Sequence, residues 1–167
     1  MNTLNHSLKT HKEADEILDK TKIIDLLSRF GNVRIGGSYY SDLMYGPDID
    51  ITVATDNPRV SAIKFLDQII AKRLFQKYQY GDFENFPREN RPEAHIVVLI
   101  LPFNGRKWEV EIWFNKEHSK DQIELEQKLK ELPSDKKAEI IKLKAKREES
   151  GLDKHSLSSF NIYKDFI

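Results

Sequence analysis

The stretch GGSYYSDLMYGPDIDI, residues 36–51, decides how this chain is read. It joins a Gly36-Gly37-Ser38 turn to an Asp48-Ile49-Asp50-Ile51 alternation. Successive side chains of an extended strand leave opposite faces. Asp48 and Asp50 therefore share one face, about 6.5 Å apart along the backbone, while Ile49, Ile51 and Val53 share the other. Gly-Gly lets the chain turn tightly, and such a turn presents amide hydrogens, with the Ser38 hydroxyl beside them, to anionic oxygens. Each half also has a plain structural reading. A lone D-x-D suits the solvated face of an edge strand, and a glycine pair suits any tight turn. Placed this close together, a phosphate-holding turn and two hard-cation ligands favour a site.

Working outward, Val33-Arg34-Ile35 reads as a short strand feeding the turn. The helix before it spans 11–30: Thr10 and Glu13 form a capping-box pair, Ile17, Ile24, Leu27 and Phe30 supply the helical pattern, and Gly31 is the left-handed residue that ends it. Downstream, the strand runs from Asp48 to Thr55. Asn57-Pro58 then starts a helix with Ile63, Leu66, Ile70 and Leu74 on one face. Phe75 to Phe83 forms a further strand, and Asn85 to Pro92 an exposed loop. Two runs, Ala94 to Phe103 and Arg106 to Phe114, flank Asn104-Gly105, a strong hairpin signal. AHIVVLIL, residues 94–101, is apolar on both faces and belongs inside a covered sheet. From Ser119 onward the chain is helical and charged, with helices over 121–132 and from Pro133-Ser134 to before Gly151, then a short closing helix in 152–167. The C-terminal lysines and arginine, Lys144 and Arg147 among them, either line an acceptor or nucleic-acid groove or, as the simpler reading, make a solvated face, with Ala138, Ile141 and Ala145 turned to the core. The expected fold is one α+β domain over 1–167. It has a mixed sheet of about four or five strands flanked by helices, a core at 33–114 and a helical extension at 119–167.

Bulk properties exclude several classes. The chain has 167 residues, enough to bury about 70% of its unfolded surface in one domain. Its 27 basic residues balance 27 acidic ones, unlike a protein built to coat nucleic acid. With no cysteine there is no disulfide, thiolate metal site or cysteine nucleophile. The longest apolar run, Ile96 to Leu101, falls far short of the roughly 20 residues that span a bilayer. The N-terminus is polar, without a signal-peptide core, so the expected location is cytoplasmic.

A third acid comes from the hairpin. In WEVEIWF, residues 108–114, Trp108, Val110, Ile112 and Phe114 face one way, and Glu109, Glu111 and Trp113 the other. A glutamate on a central strand needs a cation, a base or solvent. Glu111 is the preferred metal ligand, ahead of Glu109. An ion pair or an exposed hairpin face is the structural alternative. Arg34, Lys64, Arg106 and Lys107 can reach a triphosphate, with surface solvation as the simpler role. His95 reads as a packed, hydrogen-bonded histidine. Tyr39, Tyr40 and Tyr45 either stack on a base or pack at the rim.

At Ile35-Gly36, Gly37-Ser38, Asp48-Ile49-Asp50-Ile51 and Glu111-Ile112, the chain resembles the DNA polymerase β-like nucleotidyltransferase superfamily, in particular its minimal, single-domain members. Glu111 stands where that family more often has aspartate, and Pro47 where serine is common. The resemblance covers residues 33–114. It implies transfer of an NMP from an NTP to a hydroxyl with release of pyrophosphate, and Mg²⁺ or Mn²⁺ as cofactor. Asp48, Asp50 and Glu111 would be both the catalytic and the metal-holding residues, with the nucleotide's phosphates on Gly36, Gly37 and Ser38. In the implied mechanism one metal lies among the three acids and the nucleophile, and a second between Asp48, Asp50 and the triphosphate. The chain lacks room for the further domains of template-reading or tRNA-binding members. The expected partners are therefore an NTP and an unidentified small-molecule or protein hydroxyl, with no membrane and with nucleic acid disfavoured; oligomeric state is left open. Two alternatives stand beside this: a catalytically weak nucleotide-binding or interaction module of the same fold, and a carboxylate-metal phosphohydrolase. The second explains the acids but not the Gly-Gly-Ser turn.

Overall fold

The computed structural model describes residues 3–89, 92–151 and 158–167. Five strands form one mixed sheet in the order β1 (Asn32–Ile35), β2 (Asp48–Ala54), β5 (Arg106–Asn115), β4 (His95–Phe103), β3 (Lys77–Asp82). Neighbours are antiparallel except β2 and β5, which run parallel. The helices are α1 (Thr3–Thr21), α2 (Ile23–Leu27), α3 (Gly37–Tyr40), α4 (Pro58–Ala71), α5 (Lys120–Lys130), α6 (Ser134–Glu149) and α7 (Ser159–Tyr163). The architecture is α+β, a mixed sheet flanked by helices.

The period-two patterns act as written. Ile49, Ile51 and Val53 of β2 are fully buried, while Asp48, Asp50 and Thr52 between them are half-buried. On β5, Trp108, Val110, Ile112 and Phe114 are buried, and Glu109, Glu111 and Trp113 turn to the opposite face. The buried set packs against Ala14 and Ile17 of α1, Ile23 and Leu27 of α2, and Ala62, Phe65 and Ile69 of α4. A one-residue slip of either strand would drive carboxylates into this core, so register is strongly fixed. Asn104 and Gly105 have φ 48° and 73°, the paired positive values of a two-residue hairpin turn. β4 lies between β5 and β3, buried on both faces as its apolar run demands.

Four expectations are corrected. First, the N-terminal helix begins at Thr3, so Thr10 and Glu13 are not its cap. Both are buried and face Arg106, whose Nη1 donates to Thr10 Oγ1 (2.9 Å) and Glu13 Oε2 (3.2 Å) while Nη2 donates to the Tyr45 carbonyl (3.0 Å). A pair spaced like a capping box is here an inward-facing clamp, and Arg106 is neither solvated nor turned toward the acids. Second, the left-handed break falls at Lys22 (φ 51°), not at Gly31. Gly31 is needed for space: a Cβ there would run into the Ala54 carbonyl oxygen and lie 3.0 Å from Val53 Cγ1. Third, α4 buries Ala62, Phe65 and Ile69, leaving Ile63 and Ile70 exposed, with Leu74 exposed just beyond its end. Fourth, Lys144 and Arg147 are buried. Lys144 Nζ donates to the Leu43 carbonyl (2.8 Å) above the Tyr163 ring, beside a smaller core of Leu43, Leu129, Ile140, Ile141, Ile162 and Tyr163.

The closing helix is α7; residues 152–157 of the segment expected to hold it lie outside the described residues. No described helix is long and apolar enough to cross a membrane.

Candidate active site

β1 delivers the glycine turn onto β2. The Gly36 N–H donates to the Asp50 carbonyl (2.9 Å), extending the β1–β2 pairing by one bond. Gly37 has φ +60°, and a Cβ there would collide with the Asp50 carboxylate, whose Cγ would be 3.0 Å away. Turn and acid are thus fitted to each other by backbone and side chain together. The Ser41 hydroxyl donates to the Gly37 carbonyl (2.9 Å), and the Leu43 N–H to the Ser38 carbonyl (2.9 Å), closing the loop behind the turn.

The parallel β2–β5 pairing supplies the third acid. Asp48 is in register with Glu109, and Asp50 with Glu111. Adjacent strands lie about 4.8 Å apart, so Asp50 and Glu111 stand side by side on one face. Gly37, Ser38, Gly46, Asp48, Asp50 and Glu111 line a cavity of ≈ 770 Å³, walled on its far side by residues of α5, α6 and α7. Glu109 is not among its lining residues. A second cavity, of ≈ 890 Å³, holds Gly36 and shares Asp50, Glu111 and Gln122 with the first. The Asp50–Glu111 pair therefore forms a partition between two chambers.

As oriented, no three acidic or imidazole groups among the described residues close on a metal-sized point. The donor chemistry nevertheless fits a hard cation. Three carboxylates on adjoining strands suit Mg²⁺, which needs one or two protein carboxylates with the rest of its shell from phosphate and water, better than thiolate-seeking ions.

Beside the turn lies a carboxylate that sequence reasoning missed. Glu126 of α5 is buried, and its Oε1 accepts the Gly37 N–H (2.6 Å) and the Gln122 Nε2 amide (3.0 Å). It is ion-paired with the Arg34 guanidinium, which also lies over the Tyr40 ring. A Cβ at Gly36 would be 2.8 Å from Arg34 Nη1 and 2.9 Å from Glu126 Oε1. The two glycines thus have separate tasks: Gly36 makes room for the Arg34–Glu126 pair and Gly37 for Asp50. Arg34 is accordingly not a solvated surface cation, and no local signal in the sequence links it to a residue so far along the chain.

The tyrosines are held by packing. Tyr39 stacks on His11 and donates to Asp15 Oδ1 (2.7 Å). Burial, then the bond to Asp15 and its charge, push the Tyr39 phenol up to about 12. Tyr45 packs against His6. His95 is buried, with Nδ1 2.8 Å from the Tyr80 hydroxyl and Nε2 2.7 Å from Glu84 Oε2, the packed role expected of it. Lys64 and Lys107 are exposed. His118, also missed, bridges β2 and β1: Nδ1 is 2.9 Å from Thr52 Oγ1 and Nε2 is 3.0 Å from Asn32 Oδ1. Burial first, then the charge of Arg34, hold its pKa below the usual value.

A parallel β2–β5 pair inside an otherwise antiparallel sheet, with a glycine turn leading to paired acids, defines a nucleotidyltransferase-like fold. Solved structures that share the fold include a poly(U) polymerase and a non-canonical poly(A) polymerase. The Cid1 poly(U) polymerase matches with a TM-score of 0.62 at 20% identity, over 84% of this chain and 42% of that one. A cytoplasmic RNA terminal U-transferase matches with a TM-score of 0.63 at 23% identity, over 93% of this chain and 46% of that one. The polymerase core of TRAMP, an RNA surveillance complex, matches with a TM-score of 0.60 at 19% identity, over 89% of this chain and 47% of that one. The chain spans less than half the length of these three. No family profile matches the sequence, and no curated protein is detectably similar to it.

Proposed function

We propose that this chain is a metal-dependent nucleotidyltransferase that moves an NMP from an NTP to an acceptor hydroxyl and releases pyrophosphate. The observation that carries the reading is the fit of Gly37 against the Asp50 carboxylate, with Glu111 in register across the strand pair. It supports the reading by bringing a glycine turn and three carboxylates to the wall of one cavity.

In this reading the triphosphate lies along Gly36, Gly37 and Ser38, with the Ser38 hydroxyl directed at its oxygens; the Gly36 N–H stays on the Asp50 carbonyl, and the Gly37 N–H becomes available when Glu126 leaves it. Asp48, Asp50 and Glu111 would hold Mg²⁺. When bound, the ion supplies charge neutralisation on the phosphates and acidifies the attacking hydroxyl. The acceptor oxygen forms its bond to the α-phosphorus in line with the bond to the β-phosphate, which breaks; the acceptor loses its proton and pyrophosphate leaves. The protein's part is positioning and electrostatics, with no covalent intermediate.

The second cavity meets the first at Asp50 and Glu111 and is the natural approach for the acceptor. It carries Asp56, Glu84, Glu93 and Glu117 against Arg59 and Lys116. This excess of negative charge favours a small-molecule or protein hydroxyl over the phosphate backbone of a nucleic acid. The test is incubation of the protein with each NTP, Mg²⁺ or Mn²⁺ and a panel of hydroxyl compounds and proteins, scored by mass spectrometry for a transferred nucleotide. Transfer with pyrophosphate release is the expected result. Phosphate release without transfer would indicate a phosphohydrolase instead, and nucleotide binding without turnover an inactive module.

A further inference from the structure

Glu126 is out of place in a site meant for triphosphate. Its carboxylate takes the Gly37 N–H at 2.6 Å and the Gln122 amide at 3.0 Å, and it is ion-paired with Arg34. A backbone amide, a side-chain amide and a guanidinium around one anionic group make the donor set that recognises a phosphate oxygen. On Gly37 this carboxylate faces a second one, since Asp50 fills the space on the glycine's other side. A triphosphate arriving at the same amide would meet both acids while the Arg34 guanidinium is committed to Glu126; the cavity's other cations are Lys128, Lys144 and Arg147, from the helical wall.

We propose that Glu126 is an internal stand-in for a phosphate: its carboxylate occupies the Gly37 amide and the Arg34 guanidinium at the wall of the donor chamber, and a polyphosphate ligand binds by displacing it and taking over both groups. The inference rests on the donor-site reading above and makes Arg34 a triphosphate-binding residue. α5 buries Glu126 and Leu129, the latter in the smaller core with Leu125 packed against it, so what must give is the Glu126 side chain and not the helix. Release of the Glu126 side chain leaves the main core closed, because none of that core's residues lies on α5. Gly36 serves the arrangement in which Glu126 holds Arg34, since a Cβ there would lie 2.8 Å from Arg34 Nη1 and 2.9 Å from Glu126 Oε1.

The test uses inorganic tripolyphosphate as probe, with affinity measured by titration calorimetry on the full chain at fixed ionic strength. Glu126→Gln keeps the shape of the side chain and removes its charge. It is expected to bind tripolyphosphate about tenfold tighter than wild type or better, the size expected when a charge-assisted competitor is weakened. Glu126→Asp keeps the charge but draws it back from Gly37, and should gain a smaller factor; it carries the test if the glutamine variant does not fold. Arg34→Met should lose affinity. A residue that only staples α5 to the sheet would behave differently: both Glu126 variants would melt lower and bind no better, and that result overturns the proposal. Tighter tripolyphosphate binding with no nucleotide transfer by any variant would uphold the stand-in and reject the proposed reaction. Transfer by wild type with no gain in either Glu126 variant would do the reverse.

Discussion

The Cβ that Gly37 lacks would lie inside the Asp50 carboxylate. That contact locks a turn at the end of β1 to the middle of β2, and it makes the glycine as necessary to the candidate site as the acid. Gly105 provides an internal control, because it also has positive φ (73°) but nothing within 4 Å of the position a Cβ would take. Gly105→Ala should carry only the backbone penalty, about 1 kcal/mol. Gly37→Ala should carry that plus displacement of Asp50, lower the melting temperature by several degrees more, and abolish Mg²⁺-dependent NTP binding. Thermal unfolding with and without nucleotide checks both.

The Arg106 clamp on α1 gives a prediction remote from the site. Glu13 is buried and paired with Arg106, which Thr10 and the Tyr45 carbonyl also hold. Removing Glu13 leaves the part-buried Arg106 charge without its carboxylate, so Glu13→Ala should destabilise by about 2 kcal/mol. Replacing both, Glu13→Leu with Arg106→Met, should recover much of the loss. Urea unfolding of the two singles and the double measures the coupling.

Burial and the charge of Arg34 lower the His118 pKa from 6.5. The folded state therefore favours the neutral ring. The stability this contributes is fully present above pH about 6.5 and is lost as pH falls through that value toward the folded pKa. Wild type should weaken across that window, whereas His118→Asn, which keeps a hydrogen-bonding side chain but does not titrate, should lack this component. Unfolding midpoints between pH 8 and pH 5 compare the two.

Much of this architecture was legible because two periodicities do not compete: β2 and β5 alternate acid with aliphatic or aromatic residues so regularly that only one face can be buried. The hairpin was equally plain, since Asn104-Gly105 is suited to two consecutive positive φ angles. The inner face of α4 was not. Ile63, Leu66, Ile70 and Leu74 interleave with Ala62, Phe65 and Ile69 at the same helical spacing, and the position of Phe65 against Phe30 and Phe114 settles which set turns inward. Thr10–Glu13 was misread because a cap and an interior clamp share one spacing. Arg34–Glu126 had no local signature, since charges far apart in the chain are paired only by the fold. At the candidate site, the register of Asp50 with Glu111 follows from a parallel pairing that the two strands, read separately, do not reveal.

The most direct test of the central claim is calorimetric titration of a non-hydrolysable NTP analogue, with Mg²⁺, into wild type and Asp50→Asn. On the proposed reading Asp50 would ligate the cation, and its loss would remove several kcal/mol of charge stabilisation. Wild type should bind at least one analogue in a Mg²⁺-dependent manner, and Asp50→Asn should bind it at least about 100-fold more weakly with its circular dichroism unchanged. Equal binding by both proteins, or no binding of any analogue by wild type with either Mg²⁺ or Mn²⁺, would contradict the account.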